Sequence, residues 1–192
     1  MRRPGEIKIP SSWSRDGRFL LYYVVNVPKT GSDLWVLPLE GDRKPALLLG
    51  TEFNEQSGSF SPDMRWIAYN SDESGRHEIY VRPFSASGSS GPSLGPGKWQ
   101  VSKDGGTQPR WRADGKELIF RAPSGSPVSV DVGGAGPAFQ PGVSQQLFAA
   151  PANNGWDVTA DGKRFFMAVP PNQKAIDEPI TVVLNWQAEL KK

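Results

Sequence analysis

The chain contains no cysteine, which excludes disulfides and thiolate metal sites. It has one histidine, His77, too few for a zinc centre. No apolar run approaches the ~20 residues a membrane helix requires. The opening "MRRPGEIKIP" is basic but lacks the apolar stretch of a signal peptide. The chain therefore reads as soluble, with no address. An excess of one charge is also missing: 22 basic residues meet 20 acidic ones, for a net +2. Spread along the chain, that mixture is a solvated surface and not the clustered Lys and Arg of a nucleic-acid footprint.

Turn formers and aromatics are plentiful. There are 21 glycines, 18 prolines, seven tryptophans and nine phenylalanines in 192 residues. A chain of this length buries roughly 70% of its unfolded surface, enough for a real core. Frequent turns between many short strands account for the glycine and proline content.

One phrase occurs four times: "WSRDGRFLLYYV" (13–24), "FSPDMRWIAYNS" (60–71), "WRADGKELIFRA" (111–122) and "VTADGKRFFMAV" (158–169). Its aspartates, Asp16, Asp63, Asp114 and Asp161, recur at intervals of 47, 51 and 47 residues. A period in the forties built on strand-like segments matches a propeller blade of four strands. Each phrase reads as the end of one strand, a tight Asp-Gly turn of type I′, and a buried strand of Phe, Leu, Ile, Tyr and Val. Met64 stands where the other copies have Gly, so that turn is expected to be of another type or strained.

Third strands follow at 33–39, 78–84, 127–132 and 179–186, and fourth strands at 46–51, 98–102 and 145–150. The repeats run over about 11–51, 57–102, 108–150 and 155–186. "GEIKIP" (5–10) is left over. It is either a spare strand that closes the ring by completing the last blade, or the outer strand of a preceding blade. The expected architecture is all-β: one β-propeller domain of about four four-stranded antiparallel blades, either a small closed ring or part of a larger propeller. "SASGSSGPSLGPG" (85–97) and "GGAGPAFQPG" (133–142) are expected to be loops without a core.

The phrases resemble the TolB-type, WD-repeat-like β-propeller, whose motif is an aromatic-Ser-Pro-Asp-Gly-basic turn before an Ile-Ala-Tyr-like strand. "SFSPDMRWIAYNSDESGRHEIYVRPF" carries the likeness most closely. "GKWQVSKDGGTQPRWRADGKELIF" and "PITVVLNWQAELKK" resemble the C-terminal part of propellers fused to bacterial serine/threonine kinases. The resemblance implies an interaction or sensor module of a larger signalling protein. It also implies an extracytoplasmic location if the chain is joined to a membrane-anchored kinase. Propellers of this kind also regulate serine peptidases, which gives the alternative reading.

Chemical motifs are weak. "GPSLG" (91–95) matches the Gly-x-Ser-x-Gly nucleophile elbow, but Ser93 lies in a Ser/Gly-rich stretch and the sole histidine precedes it. "GPGK" (95–98) lacks the first glycine of a phosphate loop and has Trp99 where Ser or Thr should hold magnesium. "NSDESG" (70–75) has too few acids at alternate positions for calcium. The repeat aspartates are expected to serve turns and to lie far apart, and His77 to sit on a strand edge with a satisfied hydrogen bond. No catalytic residue, cofactor or metal is implied.

The side chains expected to face the channel are Gln56, Gln108, Arg110 and Asn154. They suit a peptide or a carboxylate, or ordered water. Trp13, Phe60 and Trp111 share one repeat position and are expected to pack between blades. Trp156 falls two residues before the equivalent Val158 and is read as a rim or channel aromatic able to anchor a partner. Ligand-facing loops are expected at 51–57, 70–76, 103–108, 152–155 and 171–178. A protein or peptide partner fits this picture. If the ring is open, two copies could pair as a homodimer.

Overall fold

The computed structural model describes residues 6–87, 91–133, 138–150 and 155–168. All regular structure there is β. The first sheet has β1 (Ile7–Trp13), β2 (Phe19–Val27), β3 (Gly31–Pro38) and β4 (Ala46–Leu49) in that order. The second has β5 (Gln56–Phe60), β6 (Trp66–Ser71) and β7 (Glu78–Ser85). The outer edge of β7 is shared by β8 (Ser93–Leu94) and β9 (Trp99–Gln100). The third has β10 (Thr107–Trp111), β11 (Glu117–Arg121), β12 (Pro127–Gly133) and β13 (Gln140–Gln146). β14 (Trp156–Val158) and β15 (Phe165–Met167) open a fourth. Every pairing between strands within these sheets is antiparallel. The repeat therefore sets a row of equivalent sheets, and the row is not closed among the described residues.

"GEIKIP" is not a spare strand. Ile7–Pro10 form the first part of β1 and pair with Tyr22–Val25 of the same sheet. A register shift between Pro10 and Ser12 splits this strand into two halves. That break made its first half look independent in the sequence. The predicted strand at 179–186 and loop at 171–178 lie outside the described residues. Part of the predicted loop 85–97 is ordered, since Ser93 and Leu94 pair with Ser85 and Phe84.

The four bends share one geometry. Gly17 donates its N–H to the Ser14 carbonyl at 2.9 Å, Met64 to Ser61 at 3.0 Å, Gly115 to Arg112 at 2.9 Å and Gly162 to Thr159 at 2.8 Å. Only the fourth residue of each bend is left-handed, with φ of 77°, 60°, 72° and 74°. This is a type I turn followed by a left-handed bulge residue, not the type I′ turn expected, because the aspartates keep ordinary φ. Asp16 accepts the Ser14 hydroxyl and the Arg18 N–H, at 2.7 and 3.1 Å, and Asp63 accepts the same pair from Ser61 and Arg65. Met64 forces an L side chain into the left-handed region, a conformation costing roughly 1–2 kcal/mol. Its packing against the first core cluster offsets part of that cost.

Two cores lie between successive sheets. Leu21, Leu34 and Val36 of the first meet Phe60, Ile67, Tyr69, Tyr80 and Phe84 of the second. Trp66, Ala68, Ile79 and Val81 of the second meet Leu118, Phe120 and Val130 of the third, with Phe139. Alternate residues of β6 therefore serve opposite interfaces, and all six of its residues are buried. Gly58 permits the close approach of the first two sheets. A Cβ there would lie 2.6 Å from Leu21 Cδ2 and 2.7 Å from Leu34 Cδ1.

Candidate functional site

The inner strands β1, β5, β10 and β14 run from a loop end to a bend end. Gln56 and Gln108 both lie at the loop end, but they are not equivalent. The 51-residue offset between Asp63 and Asp114 aligns Gln56 with Thr107 and Ser57 with Gln108. Ser57 and Gln108 share a left-handed backbone, φ 53° and 54°, at a register shift in their strands. Each is a bulge that turns the strand at its entry. Gln56 Nε2 donates to Ser32 Oγ across the first junction at 2.9 Å. Gln108 Oε1 is buried without a hydrogen-bond partner among the described residues.

Polar side chains knit the loop end together. Asn54 donates its N–H and Nδ2–H to Asp72, at 2.8 and 2.7 Å. Burial works to raise the Asp72 carboxyl, and these two bonds outweigh it and hold it below the usual range. Asn70 Nδ2 lies 3.2 Å from His77 Nδ1, so the one histidine does have a partner. Glu78 is buried and takes Arg76 Nε–H at 2.7 Å, the Ser102 hydroxyl and the Gly105 N–H at 3.0 Å. Glu55 is buried too and accepts the Thr51 hydroxyl. Burial pushes its carboxyl up, the Thr51 bonds pull the other way, and Asp33 and Glu73 add to the rise.

The remaining predicted site residues fall elsewhere. Arg110 is the penultimate residue of β10, toward the bend end. Its Nε lies 3.4 Å from Asp157 Oδ1 of β14, and its Nη1 donates to the Pro109 carbonyl. Trp156 is 5% exposed and stacks on Phe165 at 6.1 Å, so it is core and not a rim anchor. Sequence carried the signal: residues two apart on a strand share a face, and Val158 occupies the packing position. Asn154 lies outside the described residues. Ser93 is exposed on the short strand β8.

The bend end holds a cavity of about 680 Å³ lined by Asp63, Arg65, Trp66, Arg112, Asp114 and Lys116, among others. Two of the repeat aspartates thus come to one cavity, where the sequence reading kept them apart. Both remain engaged in their own bends. Arg112 takes the place of the bend serine and donates to Asp114 through Nε at 2.8 Å and Nη2 at 2.9 Å. The bends also touch each other: Arg15 Nη1 donates to the Ala113 carbonyl at 3.1 Å, and the Ala113 N–H to the Ala160 carbonyl at 2.8 Å.

Bend hydrogen bonds hold the Asp16 carboxyl at about 2, chiefly through Ser14 and then Arg18. Asp114 is also held at about 2, chiefly by Arg112 and the Lys116 N–H. Asp161 is lowered by Thr159 and Lys163. Carboxyls depressed in the folded chain contribute stability that is full above the unfolded value near 4 and is lost as pH falls toward 2. Glu55 acts in the opposite sense, because its folded carboxyl takes up a proton before the unfolded one. Thermal midpoints should therefore drop between about pH 4 and 2. The Asp16→Asn variant should show a shallower drop, and an unchanged slope would refute the assignment.

No family model matches the chain, and no curated protein is significantly similar to it in sequence. Solved structures are similar in fold. TolB from Acinetobacter baumannii is 22% identical at a TM-score of 0.63, over 88% of this chain and 38% of that one. A protein described as TolB from Agrobacterium tumefaciens is 18% identical at 0.58, over 74% and 49%. One described as a 6-phosphogluconolactonase from Bacteroides uniformis is 13% identical at 0.55, over 82% and 46%. The chain spans half or less of the length of each. With no helix among the described residues, and successive antiparallel sheets packed face to face, the chain has a TolB-like β-propeller fold.

Proposed function

We propose that the chain is a non-enzymatic interaction module that binds a protein or peptide at its loop end, as part of a larger bacterial signalling protein. One observation carries the reading. Gln108 Oε1, at the entry of an inner strand, is a buried acceptor without a partner among the described residues, and Gln56 lies at the corresponding end of the neighbouring inner strand. A peptide N–H offered to such an acceptor gains more than one offered to a group already satisfied. The exposed residues Glu52, Arg76, Lys103 and Asp104 surround that end with mixed charge, which favours a polar peptide over a fatty ligand.

Panning a displayed random-peptide library on the chain, then titrating the selected peptides by calorimetry, tests this. Gln56→Ala and Gln108→Asn should each weaken binding about tenfold, the loss of one well-placed contact. Asparagine is chosen at 108 because it tolerates the left-handed backbone. Asp114→Asn, at the opposite end, should leave affinity within about twofold. Peptides that ignore both glutamine variants, a library that yields none, or turnover of a phosphogluconolactone by the chain would each overturn the proposal.

A further inference from the structure

Asn70 stands between the two glutamines of the loop end. It is the cross-strand partner of Gln56 on β5. On β6 it shares a face with Trp66 and Ala68, which pack toward the third sheet. Its Oδ1 accepts the Gln108 backbone N–H at 3.4 Å, a long bond made at the left-handed bulge that opens β10. Asn70 is 1% exposed. The bulge therefore owes part of its position to one buried amide oxygen.

That bond fixes the chemistry on the other side of the amide. With Oδ1 turned to a backbone donor, Asn70 presents Nδ2 to His77 Nδ1 at 3.2 Å. An amide nitrogen only donates, so Nδ1 is the acceptor and the His77 proton sits on Nε2. Protonating the ring sets an N–H against an N–H. Asn70 then has to turn its amide over, giving Oδ1 to the imidazolium and its hydrogens to the Gln108 N–H. Gln108 loses an acceptor and faces a second donor. The charged groups about His77 are Asp72, Arg76 and Glu78 on its own hairpin, and Lys103 and Asp104 on the segment that passes it. Gly106 of that segment donates its N–H to the His77 carbonyl at 2.8 Å. Asp72 is the carboxylate whose charge couples to the ring, and Asn54 holds its oxygens. Arg76 and Glu78 pair with each other at 2.7 Å.

We infer that Asn70 is a positioning residue for Gln108, and that His77 acts through it to loosen a bound peptide on acidification. The inference rests on the loop end being a peptide site. Histidine is the side chain that changes charge between about pH 5 and 8, and His77 is the only one in the chain. The backbone that carries Gln108 Oε1 to the mouth is the same backbone that loses its anchor when the amide turns. A peptide N–H seated on that oxygen therefore favours the neutral ring.

Two measurements test this at about pH 7.5 and pH 5, both above the range in which Asp16 and Asp114 protonate. The first needs no ligand. Heteronuclear NMR of the chain alone should show the Gln108 amide and the Asn70 side-chain amide moving with the midpoint of the His77 ring. The second follows a histidine-free peptide from the panned library by calorimetry. Its affinity should fall about tenfold at the lower pH, the loss of one well-placed contact. His77→Gln should remove both effects. Glu55, pushed up by burial, also takes up its proton early, and a fall of the same size in His77→Gln would assign the effect to Glu55 and overturn the inference. Asn70→Asp gives acceptor oxygens to both neighbours, so the peptide should bind it no more weakly at pH 5 than at pH 7.5. A merely structural Asn70 would weaken binding equally at both. If Asn70→Asp unfolds, His77→Gln decides. A Gln108 amide that ignores the His77 midpoint would also overturn the inference. A library that yields no peptide sinks the interaction reading instead, and the Gln108 amide still decides the relay.

Discussion

Replacing Glu78 by alanine should lower the thermal midpoint by about 10 °C, from a loss of roughly 3–5 kcal/mol. Glu78 is 1% exposed and opens β7. Its carboxylate takes Arg76, the Ser102 hydroxyl and the Gly105 N–H. Removing it leaves the Gly105 N–H buried without its acceptor, and each such orphan costs about 1–3 kcal/mol. Ser102 is affected twice, because its oxygen also accepts the Ile79 N–H at 2.7 Å. The segment 102–106 carries the chain from the second sheet to the third, so the effect should concentrate there. Hydrogen exchange at Gly105 and Gly106 should accelerate well before that of Leu21 or Leu34. Glu78→Gln keeps an acceptor for Gly105 and should lose less. A midpoint shift under about 2 °C for Glu78→Ala would show that solvent replaces these bonds freely.

Tyr69→Ala should cost a similar amount, about 3–5 kcal/mol, through a cavity between the first two sheets. Tyr69 is 1% exposed, with its ring 5.9 Å from that of Tyr80. Its neighbours along β6 pack into the opposite core, so the strand cannot move to fill the space without disturbing the junction with the third sheet. Partial relaxation of this kind keeps the cost of a cavity high. Tyr69→Phe preserves the volume and should stay within about 1.5 kcal/mol. Chemical denaturation of both variants gives the comparison, and a loss below about 1 kcal/mol for alanine would place Tyr69 outside the core.

The row of sheets was legible because bends are local. Ser14, Asp16 and Gly17 need only one another to set their geometry, and three further copies repeat it within a few residues. The bend type was not legible, since type I with a bulge and type I′ both favour Asp-Gly. The distinction lies in whether φ is positive at one residue or two. Along β1 the alternation breaks at Pro10 and Ser11, which hid the continuity of that strand. At the candidate site the one-position register offset between Gln56 and Gln108 was not legible. The left-handed bulge there depends on strand pairing, and nothing in "GGTQPRW" encodes it. Trp156 is a different case, since residues two apart on a strand share a face and its packing alongside Val158 follows from that spacing. Trp13 follows the repeat perfectly in sequence and differs only in having no neighbouring sheet among the described residues to bury it, a property of the row and not of the residue.

The contacts from Arg15 to Ala113 and from Ala113 to Ala160 fasten the tips of separate sheets to one another at the bend end. The mouth is tied as well, by Gln56 to Ser32 Oγ and by the Glu55 N–H to the Ser32 carbonyl. The row is clasped at both ends, so a guest has to fit between the inner strands without prising them apart.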